Sequence, residues 1–481
     1  MKLVIIGNGM AATRLVEELV RRETTSTMDV TILGDERTPA YNRILLSAVL
    51  EGTHPVSALT LKAASWYDAH GVDLRLGSRV LELDRERREV MLVDGHRIPY
   101  DKVVLATGSI PTLPPIRGLV QVDGHLHPKV HAFRSLQDCH DLMAAVDGLE
   151  TLRSSTNEET RSSTNEKTRA VVVGGGLLGL QVARALSVRG VATEIVEGAD
   201  HLLHQQVGRT ASKVLERDLT RLGTSVYTGA RAVKLTDEGL KLDNGFTLDT
   251  DLVVLTAGGR PSTALARRAE LMVRRGVVVN QSLQSVTDTD VYAIGDCAEY
   301  RSRTTGFVPP AWEQATLLAA HLAGDDVAYD GSRNVARLRA TGLDVAVLGD
   351  PEHAEGDIVE VTNPIIGSHR RLVVKDGVIV AAALIGDLSR VGLITQLYDK
   401  RTVLGQQEPG ELLLPEPTET EVETPDDAEV CACAGVSAGR IRACGSVDEV
   451  RATTRATTGC GGCLTSVQAL LSAREPSVSR T

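Results

Sequence analysis

Apolar and polar positions recur along this chain in one repeating unit: a short aliphatic run, a glycine turn, then an amphipathic stretch. Residues 2–6 (KLVII) read as a short apolar strand. Residues 7–12 (GNGMAA) form a tight turn, and over residues 13–22 Leu15, Val16 and Leu19 recur at helical spacing. The same strand, turn and helix return at residues 170–173 (AVVV), 174–179 (GGGLLG) and 180–189. A second pair of segments repeats as well: residues 101–111 (DKVVLATGSIP) match 251–261 (DLVVLTAGGRP), offset by 150 positions against 167 for the glycine turns. Two nucleotide-binding halves within one polypeptide are predicted.

Other segments break the pattern. Residues 153–160 (RSSTNEET) and 161–168 (RSSTNEKT) are a tandem octapeptide with no apolar residue to bury, and read as a disordered surface insertion. Residues 406–427 are rich in Glu, Pro and Thr and read as a linker to a separate module. At 481 residues the size prior allows about three domains. The chain is 42% hydrophobic but only 3% aromatic, with 44 glycines, so its core is aliphatic and layered α/β is favoured over a β-sandwich. The charge sum of 52 basic against 63 acidic residues gives −11, with no basic block, which argues against a nucleic-acid scaffold or a polybasic membrane anchor. No 18-residue apolar segment and no charged leader are seen, so a cytoplasmic protein with no nucleic-acid or membrane partner is expected.

The turns carry candidate chemistry. In the first, Gly7 permits the tight turn, Gly9 lets a pyrophosphate approach the backbone, and the small Ala12 lets helix and strand pack closely. The next strand, residues 28–33, leads to Asp35, 28 residues past Gly7, where an acid can accept from ribose hydroxyls. A glycine turn at a strand end also serves as a bare packing device, so other segments have to agree. Gly174, Gly176 and Gly179 make a full fingerprint, and Glu197 follows 23 residues after Gly174. A carboxylate there accepts from both ribose hydroxyls and repels a 2′-phosphate, which favours NADH over NADPH.

Residues 289–296 (TDVYAIGD) resemble the Gly-Asp motif of two-dinucleotide-binding-domain flavoproteins, which implies that Asp296 binds the ribityl chain of FAD. The strand ending in Ala106, Thr107 and Gly108 resembles the crossover between the FAD and NAD domains of that family, and Gly259, in the repeated segment 251–261, is a further expected cofactor-binding residue. Where the family has a glutamate after the second turn, this chain has Gln181. Neither the cysteine pair of disulfide reductases nor the single cysteine of NADH peroxidases precedes Cys139. The segment 41–47 (YNRILLS) resembles instead the flavoprotein part of NAD(P)H-dependent nitrite reductase large subunits and assimilatory nitrate reductase electron-transfer subunits. That resemblance implies that Asn42, Arg43 and Ser47 line the flavin, and residues 309–315 (PPAWEQA) place Gln314 near its ring system.

Seven cysteines include four near the C-terminus: Cys431 and Cys433, then 26 residues, then Cys460 and Cys463. Two close thiolate pairs suit either tetrahedral zinc or a 2Fe–2S cluster. The one-residue spacer and the CGGC ending resemble the bacterioferritin-associated ferredoxin-like 2Fe–2S domain, and a flavoprotein has a use for an electron carrier. Ser446 to Glu449 reads as a capping box for a helix to about Thr457, and residues 464–472 as a second helix. Cys139, Cys297 and Cys444 read as buried or incidental.

The expected fold is α/β, with two interleaved Rossmann-like dinucleotide-binding domains, a small α+β C-terminal domain and a helical 2Fe–2S module. The FAD-binding domain spans 1–120 and 245–325, the NAD-binding domain 121–244 with the insertion 153–168, the small domain 330–405, the linker 406–428 and the cluster module 429–475. The expected activity is NADH-dependent electron transfer through FAD and the cluster. Its expected partner is a molybdenum nitrate reductase catalytic subunit or a sirohaem nitrite reductase. A ferredoxin or rubredoxin reductase and a non-enzymatic redox sensor are the alternatives.

Overall fold

The computed structural model describes residues 1–156, 167–405, 408–414, 424–459 and 461–472. Two five-stranded, all-parallel sheets carry the internal repeat. The first runs in the order Val291–Ala293, Lys102–Leu105, Lys2–Ile6, Asp29–Leu33, Val72–Arg75. The second runs Val130–Ala132, Leu252–Leu255, Arg169–Val173, Ala192–Glu197, Thr224–Thr228. In each sheet the strand before the glycine turn is central, with its interior residues buried, as parallel strands covered on both faces require. The two sheets are the cores of separate aliphatic clusters.

The pairing revises some expected boundaries. Thr247–Leu248 and Leu252–Leu255 belong to the second half, so the chain returns to the FAD half at the crossover rather than at residue 245. That crossover is itself paired: Ser109–Pro111 lies antiparallel to Gly259–Pro261. The first helix begins at Met10 rather than residue 13, directly on Gly9.

The expected disordered insertion is also trimmed at both ends. The helix Leu136–Thr156 runs into the first octapeptide, and Thr168 at the end of the second is buried, its carbonyl accepting from Ala192 N at 2.8 Å. Residues 157–166 lie outside the described residues.

A five-stranded antiparallel sheet, ordered Val335–Ala340, Leu343–Leu348, Val378–Ile385, Ser368–Lys375, Asp357–Asn363, forms the third unit with the helix Val391–Asp399. Part of the expected linker belongs to its core. Pro409–Leu413 forms a 3-10 turn whose Leu412 and Leu413 are fully buried, and the Leu413 carbonyl accepts from the Arg370 guanidinium at 2.5 Å. The apolar triplet at residues 412–414 overrides the acidic composition around it. Residues 406–407 and 415–423 lie outside the described residues.

The last unit is a small β-ribbon, Glu429–Cys431 with Val436–Ser437, and three short helices, Ala438–Arg442, Val447–Thr454 and Leu464–Ser472. Its core includes Val436, Ile441, Val450 and Val467. Half of the expected capping box is present: Ser446 Oγ accepts from Glu449 N at 3.2 Å, while the Glu449 carboxylate accepts from Gly445 N at 2.6 Å rather than from Ser446 N, and the helix stops at Thr454 because Arg455 turns left-handed at φ 64°. Among the described residues no helix is long and apolar enough to cross a membrane.

Candidate functional site

At the first turn Gly7 sits at φ +111°, and a Cβ there would stand 2.2 Å from the Ala106 carbonyl oxygen, so only glycine fits. Gly9 caps the helix Met10–Arg21 and has no atom within 4 Å of where its Cβ would be, so open space lies before the helix N-terminus. Ala12 is fully buried beneath it. That arrangement leaves backbone N–H groups for a pyrophosphate.

Asp35 points to solvent and pairs with Arg79 at 3.2 Å. Its neighbour Glu36, absent from the sequence-predicted set, is less exposed, accepts from the Tyr41 hydroxyl at 2.7 Å and pairs with Arg43. Arg43 also stacks over the Tyr41 ring at 4.9 Å and donates to the Arg134 carbonyl at 3.2 Å. Ser47 is buried in the helix Leu46–Glu51.

Asp296 follows the strand Val291–Ala293. Its carboxylate accepts from Ser109 Oγ at 2.6 Å and from Arg134 at 2.7 Å, while Arg134 Nε donates to the Ser109 carbonyl at 2.9 Å. Arg134 thus fixes the acid on the crossover, a role sequence reasoning missed because the arginine lies 162 positions away in the other half. Thr107 Oγ1 donates to the Ser262 carbonyl at 2.8 Å, Gly108 has φ +66°, and a Cβ on Gly259 would press Arg134 at 3.1 Å, so all three shape this crossover. Gln314 is buried on the helix Val308–Leu322; its carbonyl accepts from Gly295 N at 2.7 Å and its amide donates to the Tyr329 hydroxyl at 3.2 Å.

The second turn is tighter. Gly174 (φ +116°) would place a Cβ 2.7 Å from the Thr256 carbonyl, and Gly179 would place one 1.9 Å from the Gly174 carbonyl. Gly176, at the helix N-cap, faces open space. Glu197 is 8% exposed, and its two oxygens accept from Gly175 N at 2.6 Å and Ala199 N at 2.7 Å, so the acid is locked against the turn it serves. Gln181 is buried in the following helix.

Three of the four C-terminal cysteines are described, and Cys460 lies outside the described residues. Cys431 and Cys463 are buried, and Cys433 is partly exposed. A hydrogen bond with Cys463, reinforced by burial, pushes the Cys431 thiol up. Thr457 N donates to Cys463 Sγ at 3.2 Å. Among the described residues no group of three or more metal-capable side chains converges. The donor set still suits a thiolate-held cluster: two buried sulfurs touch, and a backbone N–H is aimed at one of them.

Burial pushes the Cys139 thiol up to about 11, and raises Cys297 as well. Cys139 donates to the Leu46 carbonyl at 3.6 Å and Cys297 to the Leu105 carbonyl at 3.2 Å, so both read as packing residues. Cys444 lies in the module's core against Thr453.

Residues 1–315 match the family model for pyridine nucleotide-disulphide oxidoreductases. The chain belongs to that family. Residues 429–473 match a BFD-like [2Fe-2S] binding domain, so the oxidoreductase has FAD, NAD(P)H and a 2Fe–2S cluster as its cofactors. It is 33% identical to "Nitrite reductase [NAD(P)H]" of Bacillus subtilis (strain 168), over 98% of this chain and 57% of that one. It is 30% identical to the "Assimilatory nitrate reductase electron transfer subunit" of the same organism, over 98% of this chain and 59% of that one. The oxidoreductase therefore spans less than three fifths of either relative's length. In fold it is similar to putidaredoxin reductase in its covalent complex with putidaredoxin, at TM-score 0.73 and 23% identity, covering 85% of this chain and 95% of that one.

Proposed function

We propose that this chain is a cytoplasmic electron-transfer flavoprotein that carries electrons from NADH to a separate reductase of nitrate or nitrite. The observation that carries this reading is a cysteine module packed directly on the FAD half of a flavin reductase, with its cysteine loop against the helix that holds Gln314. When bound, FAD accepts a hydride and the 2Fe–2S cluster passes electrons singly.

The chain's residues bind, orient and select. Gly7 and Gly9 keep the first helix N-terminus open to the flavin's pyrophosphate, and Asp296, held by Arg134 and Ser109, presents its carboxylate to the ribityl hydroxyls. Gly174, Gly176 and Gly179 do the same for the nicotinamide nucleotide, and Glu197 accepts from its ribose and disfavours a 2′-phosphate. Asp35, Asn42, Arg43, Ser47, Thr107, Gly108, Gly259 and Gln314 complete the flavin surround. Cys431, Cys433, Cys460 and Cys463 ligate the cluster.

The acceptor is a molybdenum nitrate reductase catalytic subunit or a sirohaem nitrite reductase, a reading supported by the names of the two relatives. The test pairs a visible spectrum of the purified chain with NADH-driven reduction of candidate acceptors. Turnover with a molybdenum or sirohaem reductase, lost in Cys460→Ser, is expected. Turnover only with a small iron protein assigns the chain to the ferredoxin or rubredoxin reductases, and no turnover with any acceptor favours a sensor. A Cys460→Ser variant that drives the acceptor at full rate overturns the cluster as exit route.

A further inference from the structure

Asn42 is 1% exposed, and its side chain serves two elements. Its Oδ1 accepts from Ile44 N at 3.1 Å, capping the turn Arg43–Leu45, while Nδ2 donates to the carbonyls of Thr458 and Gly459, the latter at 3.0 Å. Those carbonyls stand immediately before Cys460. A second tie lies alongside. Arg455, turned left-handed at the end of Val447–Thr454, pairs with Glu17 on the flank of Met10–Arg21. The Glu17 side chain is only 10% exposed, with Lys62 Nζ at 3.7 Å.

The third contact is apolar. A Cβ on Gly459 would meet the Trp312 ring at 3.0 Å and Cys433 Cβ at 3.3 Å, so the cysteine loop lies directly on the indole. The Arg455 guanidinium stands 5.9 Å from the same ring. Trp312 and Gln314 share the helix Val308–Leu322, so one rigid element touches both the cysteine loop and the Gly295–Asp296 turn.

We propose that the cluster module operates docked rather than swinging on its linker: Asn42, the Glu17–Arg455 pair and Trp312 clamp the loop bearing Cys460 onto the FAD half. Asn42 is then a positioning residue for the cysteine loop. The use of the clamp rests on the electron-transfer reading above; its existence does not, because none of its contacts involves a metal.

The experiment uses the full chain loaded with flavin and iron, and two variants. Asn42→Asp keeps the acceptor for Ile44 N and removes both donors; Glu17→Gln removes the charge facing Arg455. Amide exchange over residues 455–463 is expected to be slow in the parent and about tenfold faster in each variant, the scale set by losing one or two hydrogen bonds. In Glu17→Gln, stopped-flow reduction of the flavin by NADH is expected to be unchanged while reduction of the cluster slows about tenfold, a split that general loosening of the fold would not produce. Parent-like exchange over 455–463 in both variants overturns the clamp, and if Asn42→Asp fails to fold, Glu17→Gln alone decides. A sample without the cluster spectrum but with the protection intact overturns the electron-transfer reading and leaves the clamp standing.

Discussion

Gly176 and Gly179 share one turn, yet replacing each with alanine should fail in opposite ways. At Gly179 the added methyl would sit 1.9 Å from the Gly174 carbonyl oxygen and 2.9 Å from Thr256 Oγ1. Neither can retreat: Gly174 is fixed at φ +116° with its own Cβ direction blocked, and Thr256 Oγ1 donates to the Val173 and Gly174 carbonyls at 3.1 Å each. The helix Leu177–Val188 must therefore lift by about 1 Å or more to reach ordinary contact. Overpacking of this kind costs about 1–3 kcal/mol. Gly179→Ala should lower the unfolding temperature by several degrees and weaken the nucleotide site, with flavin content preserved. At Gly176 the backbone (φ −79°, ψ 179°) suits alanine and no atom lies within 4 Å, so the poorer N-cap that alanine makes is largely offset by its stiffer unfolded chain, and stability should change by less than about 1 kcal/mol. The methyl would instead occupy the space the pyrophosphate needs, raising the Kd for NAD+ about tenfold or more, equivalent to about 1.4 kcal/mol. Thermal unfolding followed by flavin fluorescence and equilibrium titration with NAD+ separate the two effects. Unchanged nucleotide affinity in Gly176→Ala would place the phosphates elsewhere and refute the reasoning.

Four further outcomes are expected. Glu197→Ala, by removing the acceptor held by Gly175 N and Ala199 N, should shrink the ratio of kcat/KM for NADH over NADPH about tenfold; an unchanged ratio contradicts the ribose assignment. Cys139, with its thiol pushed up to about 11 and no exposed surface, should resist iodoacetamide at pH 8 in the folded protein, as peptide mapping after quenching would report. Leu412→Ala should cost about 2–5 kcal/mol in denaturant melts of the small domain, whereas a linker residue would cost almost nothing. Burial lowers the His369 pKa below 6.5, so the unfolded chain binds the extra proton first. The stability His369 confers is full above pH 6.5 and falls as pH drops through the interval below it, and a His369→Gln variant should flatten that slope in melts between pH 7.5 and 5.5.

What was legible in the sequence is what local geometry enforces. The glycine turns could be read because a positive φ and a helix N-terminus leave few alternatives to glycine, and the repeat of whole strand-turn-helix units exposed the two halves. The four thiolates of the cysteine module were legible from spacing, and the choice of a cluster over zinc from the resemblance that the spacing carries. The clamp was not, since Asn42 and Thr458 are 416 positions apart and no periodicity links them. The same distance problem hid Arg134 behind Asp296. The linker was misjudged for a different reason: its average composition is acidic, but Leu412 and Leu413 bury two full side chains, and burial energy attaches to residues rather than to averages.

The two halves also explain why their acids do not align. Ile6 pairs with Leu33 in one sheet and Val173 with Val196 in the other, so Gly34 is the counterpart of Glu197 and Asn8 the counterpart of Gly175. At each turn only one of the two facing positions carries a side chain. A Cβ on Gly34 would press Asn8 Cβ at 2.9 Å, and one on Gly175 would press Glu197 Cβ at 3.1 Å. The repeat has thus resolved one steric conflict in two ways. In the NAD half the glycine lies in the turn, and the strand end is free to hold a carboxylate against it. In the FAD half the turn keeps Asn8 and the strand end is glycine, so any acid that serves the flavin's ribose must come later, at Asp35 or Glu36. Of these, Asp35 is exposed and pairs with Arg79, and Glu36 is held by Tyr41 and Arg43 within the segment that also supplies Asn42. Gly34 is already 27 residues past Gly7, against 23 from Gly174 to Glu197, so four of the five extra residues before Asp35 lie in the longer connection from the first helix to the second strand, and only the last reflects which side of the turn kept its side chain.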